Sequence, residues 1–270
     1  TSAATSQTDA STDIWAQPIP KTKVMDDIYM SGYIIDEQGK FNINDLVSSS
    51  GQINQTVLNQ FTALMQNLNI PAAVATSIAY YIASPQYQSS IMSQYTSDNP
   101  PYRPAGKPLV DLSELILVKG MQPTWVSKLN QYVTAIPVSI NGLVASESAA
   151  AASSGQQQQS GAAPTGSGAI LVNANTASAE VISAKSGIPM PVAQRIVTSR
   201  DNIPFKSSQD ITNYLTSNGI MTSQSGSQGG TSINPGTLTT NSSYFTIHAV
   251  VDKGDYEFKW VALVYRRSEE

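Results

Sequence analysis

The sequence predicts an α+β chain with strands at its two ends and helices between them. Three observations predict it. Apolar residues follow a β-rich pattern over residues 29–35 and a period of two on either side of a turn over residues 245–264. Between these runs they recur at intervals of three and four, the spacing of one helix face. The helical middle also carries an internal repeat, opening at Asn42-Ile43-Asn44 and again at Asn173-Ala174-Asn175.

A chain of 270 residues with 40% hydrophobic content is long enough to bury a core as one large domain or two ordinary ones. Charge is sparse and mildly acidic, with 15 Lys and Arg against 19 Asp and Glu and a net charge of −4. That balance argues against nucleic acid or anionic lipid as a main partner, because both depend on clustered cations. With no Cys, disulfides, thiolate nucleophiles and the common zinc sites are all excluded. No run of about 18 apolar residues is present to span a bilayer. The polar opening Thr1-Ser2-Ala3-Ala4 reads as the remnant of something longer.

Residues 1–12 lack an apolar period and are expected to be flexible or to end a helix arriving from upstream. After Pro18 and Pro20 comes at least one strand reaching the Gly39 turn, then a short one at 41–43. Asn54 is placed to cap a helix whose buried stripe is Val57, Leu58, Phe61, Leu64, Met65 and Leu68. Pro71 opens a second helix, with Val74, Ile78, Tyr81 and Ile82 inward. Residues 84–108 read as a long loop, 112–118 as a short helix closed by Gly120, and 123–133 as another helix.

Residues 145–168 contain little but Ala, Ser, Gly and Gln, and are expected to form a flexible excursion. Helical spacing resumes at 177–184, 191–200 and 208–215, followed by a Ser/Gly/Thr stretch over 221–243. The period then becomes two. Phe245, Ile247, Ala249 and Val251 share one face, Asp252-Lys253-Gly254-Asp255 turns the chain, and Tyr256, Phe258, Trp260, Ala262 and Val264 share one face again.

The repeat extends beyond Asn-x-Asn. Ile70-Pro71-Ala72-Ala73-Val74-Ala75 and Ile188-Pro189-Met190-Pro191-Val192-Ala193 share Ile-Pro-x-x-Val-Ala, and each copy closes on Ile, Ile78 and Ile196. Further on, Asp111-Leu112 and Gly120-Met121 align with Asp210-Ile211 and Gly219-Ile220. Two copies are too few for a solenoid, so the repeat implies a tandem pair of small helical units. The second resembles a helix-hairpin-helix unit, a family that commonly binds DNA through hairpin amides. Both hairpins place proline, Pro71 and Pro189, where a donating N–H is needed, so a structural role is expected and DNA binding is the alternative.

Catalytic groups are scarce. The one histidine, His248, lies on the strand face opposite Phe245 and Ile247 and is expected to be exposed and idle. The pairs Asp26-Asp27 and Asp36-Glu37 stand beside turns, where carboxylates are usually solvated. Asp9 to Asp13 and Asp252 to Asp255 lack the dense spacing of a good calcium loop. Residues 226–230 lack the strand, helix and Lys of a phosphate loop. No catalytic or cofactor-binding residue is assigned, a metal site is left open, and an enzyme is not expected. A hydrolase using Asp36 or Glu114 is the weakest reading.

A set of motifs in fixed order carries a resemblance. It comprises Trp15-Ala16-Gln17-Pro18, the run from Gly32 through Asp36-Glu37-Gln38-Gly39-Lys40-Phe41-Asn42-Ile43-Asn44-Asp45-Leu46, Pro100-Pro101-Tyr102-Arg103-Pro104-Ala105-Gly106-Lys107-Pro108-Leu109, Ser113-Glu114-Leu115, Asn173-x-Asn175-Thr176-Ala177, and the final hairpin ending in Arg266-Arg267. From Trp15 onward the chain resembles the minor pseudopilin K family of type II secretion systems (general secretion pathway protein K, GspK). The resemblance implies a pilin-like domain with an antiparallel sheet, contributed by residues 1–46 and 223–270. A large helical domain of two helix-hairpin-helix or SAM-like units is inserted at 47–222. It implies a structural subunit capping the tip of the pseudopilus and helping to start its assembly, for protein export across the outer membrane. It implies minor pseudopilins I and J as partners, with pseudopilins H and G, secreted substrates or the secretin as further candidates. It places the protein in the periplasm, held in the inner membrane before assembly by an N-terminal hydrophobic helix. The family is associated with calcium through an acidic stretch after the second helix, whereas Ser84-Pro85-Gln86-Tyr87-Gln88-Ser89-Ser90 has no acid, so no ligands are carried over.

Overall fold

The computed structural model describes residues 8–137, 169–220 and 233–266. Its main sheet has four antiparallel strands in the order β1-β2-β7-β8, with β1 at Ile19–Met25, β2 at Ile28–Asp36, β7 at Tyr244–Lys253 and β8 at Tyr256–Tyr265. Strands from the two ends of the sequence thus pair with one another. β2 and β7 run in unbroken register from Ile28 opposite Lys253 to Asp36 opposite Phe245. The pilin-like sheet interrupted by helices expected from the resemblance is what forms.

Both hairpins of this sheet use two-residue turns. Asp26-Asp27 turns β1 into β2 with Asp27 at φ 58°, a conformation short polar side chains tolerate. Gly254-Asp255 turns β7 into β8 with Gly254 at φ 57°. Gly32 in β2 is required by close approach, since a Cβ there would stand 2.5 Å from the His248 carbonyl oxygen.

The intervening chain folds as α1 (Gln55–Asn67), α2 (Ala73–Ile82), α3 (Met92–Thr96), α4 (Pro123–Leu129), α5 (Ala179–Ser186), α6 (Met190–Asn202) and α7 (Ser208–Ser217). Asn54 caps α1 through Val57 N, as expected, and Phe61, Leu64 and Met65 are fully buried. The Pro71 carbonyl accepts from Val74 N at the start of α2. Two short parallel pairings close the helical units: β3 (Phe41–Asn42) with β4 (Val133–Thr134), and β5 (Val172–Asn173) with β6 (Leu238–Thr239).

Contacts divide the chain into two units. One comprises Thr1–Lys40, Leu171–Ile182 and Ile188–Glu270, and the other Phe41–Ile170 and Ser183–Gly187. The grouping differs from the sequence boundaries at 46 and 222, because most of the second helical repeat falls in the same unit as the sheet.

Several local expectations need correction. Asp9 and Ala10 are buried, not flexible, because Asp9 is held by Arg266. The stretch 84–108 is not a plain loop: it contains a 3₁₀ turn at Pro85–Tyr87 and α3, whose Tyr95 is buried. The short helix expected at 112–118 does form, wound as a 3₁₀ helix over Leu112–Leu117. The helix from Pro123 ends at Leu129, since Val133 is needed as the strand partner of Phe41. After 232 the polar stretch is ordered into a 3₁₀ turn at Pro235–Thr237 and β6. The expected excursion at 145–168 and the glycines at 226–230 lie outside the described residues.

Candidate interaction surface and its anchors

Each helical unit starts from the same device. Asn44 donates from Nδ2 to the Leu109 carbonyl at 3.0 Å and accepts from Leu109 N at 2.8 Å. Asn175 does the same to Phe205, at 2.8 and 2.9 Å. The first asparagine of each pair shapes the turn: Asn42 Oδ1 accepts from Asn44 N, and Asn173 Oδ1 from Asn175 N. All four are buried, and Asn is suited because its amide offers donor and acceptor side by side, matching a peptide edge.

The anchors also fix the register of the repeat. Asp111 caps the next 3₁₀ helix and Glu114 returns a bond to its backbone. Ser207 caps α7, and Asp210 bonds back to Lys206 N. The equivalent residues are therefore Asp111 with Ser207, Glu114 with Asp210 and Leu115 with Ile211. Aligning Asp111 with Asp210 by sequence is off by three positions, and cap geometry decides the matter. At the preceding hairpins, Asn69 at φ 54° takes the place of Gly187 at φ 73°.

Two buried carboxylates serve these anchors. Asp36 accepts from Gln38 N, Asn173 Nδ2, Thr176 Oγ1 and Ser242 Oγ. Burial pushes its carboxyl above the usual range, against the hydrogen bonds from Ser242, Thr176 and Gln38 that favour the anion. Asp45 accepts from Asn42 Nδ2 at 2.8 Å and Ile170 N at 2.9 Å, and lies 3.6 Å from Lys185 Nζ. Burial raises Asp45 and lowers Lys185, each partly countered by the other's charge. The Lys185 ammonium also faces the Phe41 ring at 4.8 Å.

The remaining sequence candidates separate into turns and packing. Asp36 and Glu37 are buried and bonded, not solvated as expected. Asp26 is exposed in its turn and pairs with Lys23. Asp252 pairs with Lys21. Glu114 acts as a cap. His248 is half-buried and stacks on Tyr33 at 4.5 Å and 11°, so it is neither exposed nor free of contacts. Among the described residues no group of three His, Cys, Asp or Glu converges on one point. The stretch after α2 does not suit a cation. Gln88 Nε2, buried, donates to the carbonyls of Tyr80, Tyr81 and Ala83 at 3.2, 3.0 and 2.8 Å, taking the oxygens an ion would use.

What the unit containing the sheet does present is an apolar face. β7 contributes Phe245, Ile247, Ala249 and Val251, and their cross-strand partners in β8 are Val264, Ala262, Trp260 and Phe258. From β2, Ile34, Gly32 and Met30 complete it. No charged side chain stands on this face between Asp36 and Lys253. One end is covered, where Trp15 packs edge-on to Phe245 at 5.1 Å and the Arg266 guanidinium lies 5.0 Å from the same ring. Towards the hairpin end it is open: Trp260 and Phe258 are each 60% exposed and Met25 69%. A contiguous exposed apolar surface of this kind marks an interaction site. Alternation in the sequence located the face but could not show that it is uncovered.

Family models for type II secretion system protein K match residues 39–138 and 172–229. The two matches fall on the two helical units and together span more than half of the chain. The chain belongs to the type II secretion system protein K family. Within that family it is 27% identical over 218 residues to type II secretion system protein K of Pseudomonas aeruginosa PAO1, covering 78% of this chain and 56% of that protein, so it spans little more than half the relative's length. It also resembles a chain in the crystal structure of the GspK-GspI-GspJ complex from the enterotoxigenic Escherichia coli type 2 secretion system, at 17% identity. That alignment covers 97% of this chain and 83% of the other with a TM-score of 0.60, a likeness of fold. Among the described residues of this protein K family member no helix is long and apolar enough to cross a membrane.

Proposed function

We propose that this chain is a structural, non-catalytic minor pseudopilin that caps the tip of the type II secretion pseudopilus and helps initiate its assembly. The observation that carries this reading is the open apolar sheet face, assembled from both ends of the sequence, in a chain of the protein K family. A filament subunit needs such a face because stable association depends on apolar area removed from water. The direct partners are the cognate pseudopilins I and J, the proteins that accompany GspK in the similar complex. Pseudopilins H and G, exported proteins and the secretin are secondary contacts. The working location is the periplasm, with anchoring in the inner membrane before assembly.

The test is reconstitution. Purified chain mixed with cognate I and J should elute as one complex in size-exclusion chromatography and show saturable heat in calorimetry. No complex at tens of micromolar would remove the assignment. Tip capping is read separately by gold-labelling the chain on assembled filaments: label at one end supports it, and label along the shaft rejects it.

A further inference from the structure

The two edges of the main sheet are built differently. β1 carries Pro20, Lys21 and Lys23, and its pairing with β2 breaks register twice, between Ile19 and Thr22 and between Lys23 and Met25. Proline, lysine and bulges are the usual means of stopping a sheet edge from recruiting another strand. β8 has none of them on its ten residues except Lys259, and Lys259 is engaged by Glu257 of the same strand at 2.8 Å. It pairs with β7 without a break from Tyr256 to Tyr265. Among the described residues no strand pairs with its outer edge.

The main-chain geometry states which residues face outward. Arg266 N donates to Ser243 O at 2.7 Å, so Arg266 points its peptide groups at β7. Antiparallel strands alternate, so Glu257, Lys259, Val261, Leu263 and Tyr265 direct theirs away from the sheet. A second β8 running antiparallel about a twofold axis at Val261 brings these five residues opposite one another: Val261 meets its own copy, Lys259 meets Leu263, and Glu257 meets Tyr265. No like charges are opposed. On the apolar face the same register puts Trp260 beside Ala262 of the second copy and Phe258 beside Val264, large against small in each row.

We propose that β8 is a self-complementary docking edge, and that two copies of this chain join through it into one continuous eight-stranded sheet. The occupant is a second copy because a register centred on Val261 aligns the outward main-chain groups, opposes no like charges and sets large side chains against small. The inference does not depend on the pseudopilin reading.

The test uses the 270-residue chain in sedimentation equilibrium over a concentration series. The expected result is a concentration-dependent rise from one chain mass to two. Val261→Pro removes the central outward N–H while leaving the β7 pairing intact, and should weaken the dimer at least tenfold. Should that variant misfold by circular dichroism, Leu263→Lys and Leu263→Glu carry the test. The first sets an ammonium opposite Lys259 and weakens the dimer, and the second sets a carboxylate there and restores or tightens it. The chain has no cysteine, so Val261→Cys should oxidise to a disulfide-linked dimer with its own copy, whereas Thr22→Cys on the β1 edge should not. A mass of one chain at every concentration overturns the proposal, as does a dimer in which the two Leu263 variants behave alike.

Discussion

Asn44 and Leu109, 65 positions apart, hold each other by a reciprocal pair of hydrogen bonds in which one side-chain amide satisfies one buried peptide edge. The same Asn44 amide also reaches the Ile136 carbonyl at 3.0 Å, so one side chain ties three segments together. Asn175 repeats the arrangement on Phe205. The recurring Asn-x-Asn is therefore structural: it sets where each helical unit begins and which later segment returns to that point.

Asn44→Ala should destabilise the protein by about 2–4 kcal/mol, because the Leu109 N–H and two carbonyls lose a buried partner. Chemical denaturation monitored by circular dichroism measures it. A loss below about 1 kcal/mol would mean that water replaces the amide and that the clamp does not organise the unit.

Lys185→Met leaves the Asp45 carboxylate buried without its cation, at a cost of about 3–5 kcal/mol near neutral pH. The deficit should depend on pH in a definite direction. The folded-state pKa of Asp45 is already raised by burial, and losing the Lys185 charge raises it further. A raised carboxyl binds its proton more tightly in the folded than in the unfolded chain, so stability falls as pH rises through the window above the unfolded value. The variant should recover towards wild type on acidification, and denaturation midpoints at neutral and at acidic pH compare the two. A deficit that stays flat or grows in acid contradicts this account.

Gln88 predicts that the segment after α2 takes no calcium. Because its amide already satisfies the carbonyls of Tyr80, Tyr81 and Ala83, Gln88→Ala should cost about 2–3 kcal/mol, the same in calcium and in chelator. Differential scanning fluorimetry reads the loss in both conditions. A loss that calcium reverses would place an ion at these carbonyls.

The open face predicts a separation of stability from binding. Phe258→Ser should change folding stability by no more than about 0.5–1 kcal/mol, since the ring is 60% exposed. It should nevertheless weaken the proposed association with cognate I and J pseudopilins at least tenfold, by about 1.4 kcal/mol or more in calorimetry. Unchanged affinity would exclude this face from that proposed contact.

The sequence by itself determined what repeats over short distances. A β-rich run placed β2, alternation placed the β7–β8 hairpin, helical spacing placed α1 and α6, Asn54 marked a cap, and the Asn-x-Asn and Ile-Pro echoes revealed two related units. Its ordered motifs also indicated the family. These features are legible because the side-chain periods and the caps are set by residues within one or two turns of each other. Tertiary structure decided which groups find a partner far along the chain. Asp36 and Glu37, next to a turn, are buried because Asn173, Thr176 and Ser242 close over Asp36. Asp9 is fixed by Arg266, more than 250 positions away. Lys185 shows no local sign of burial, and it is enclosed because Asp45 and Phe41 meet it. The alternating apolar residues of β8 look the same in the sequence whether their face is covered or open. Burial depends on which distant surfaces meet, and a local pattern carries no record of that.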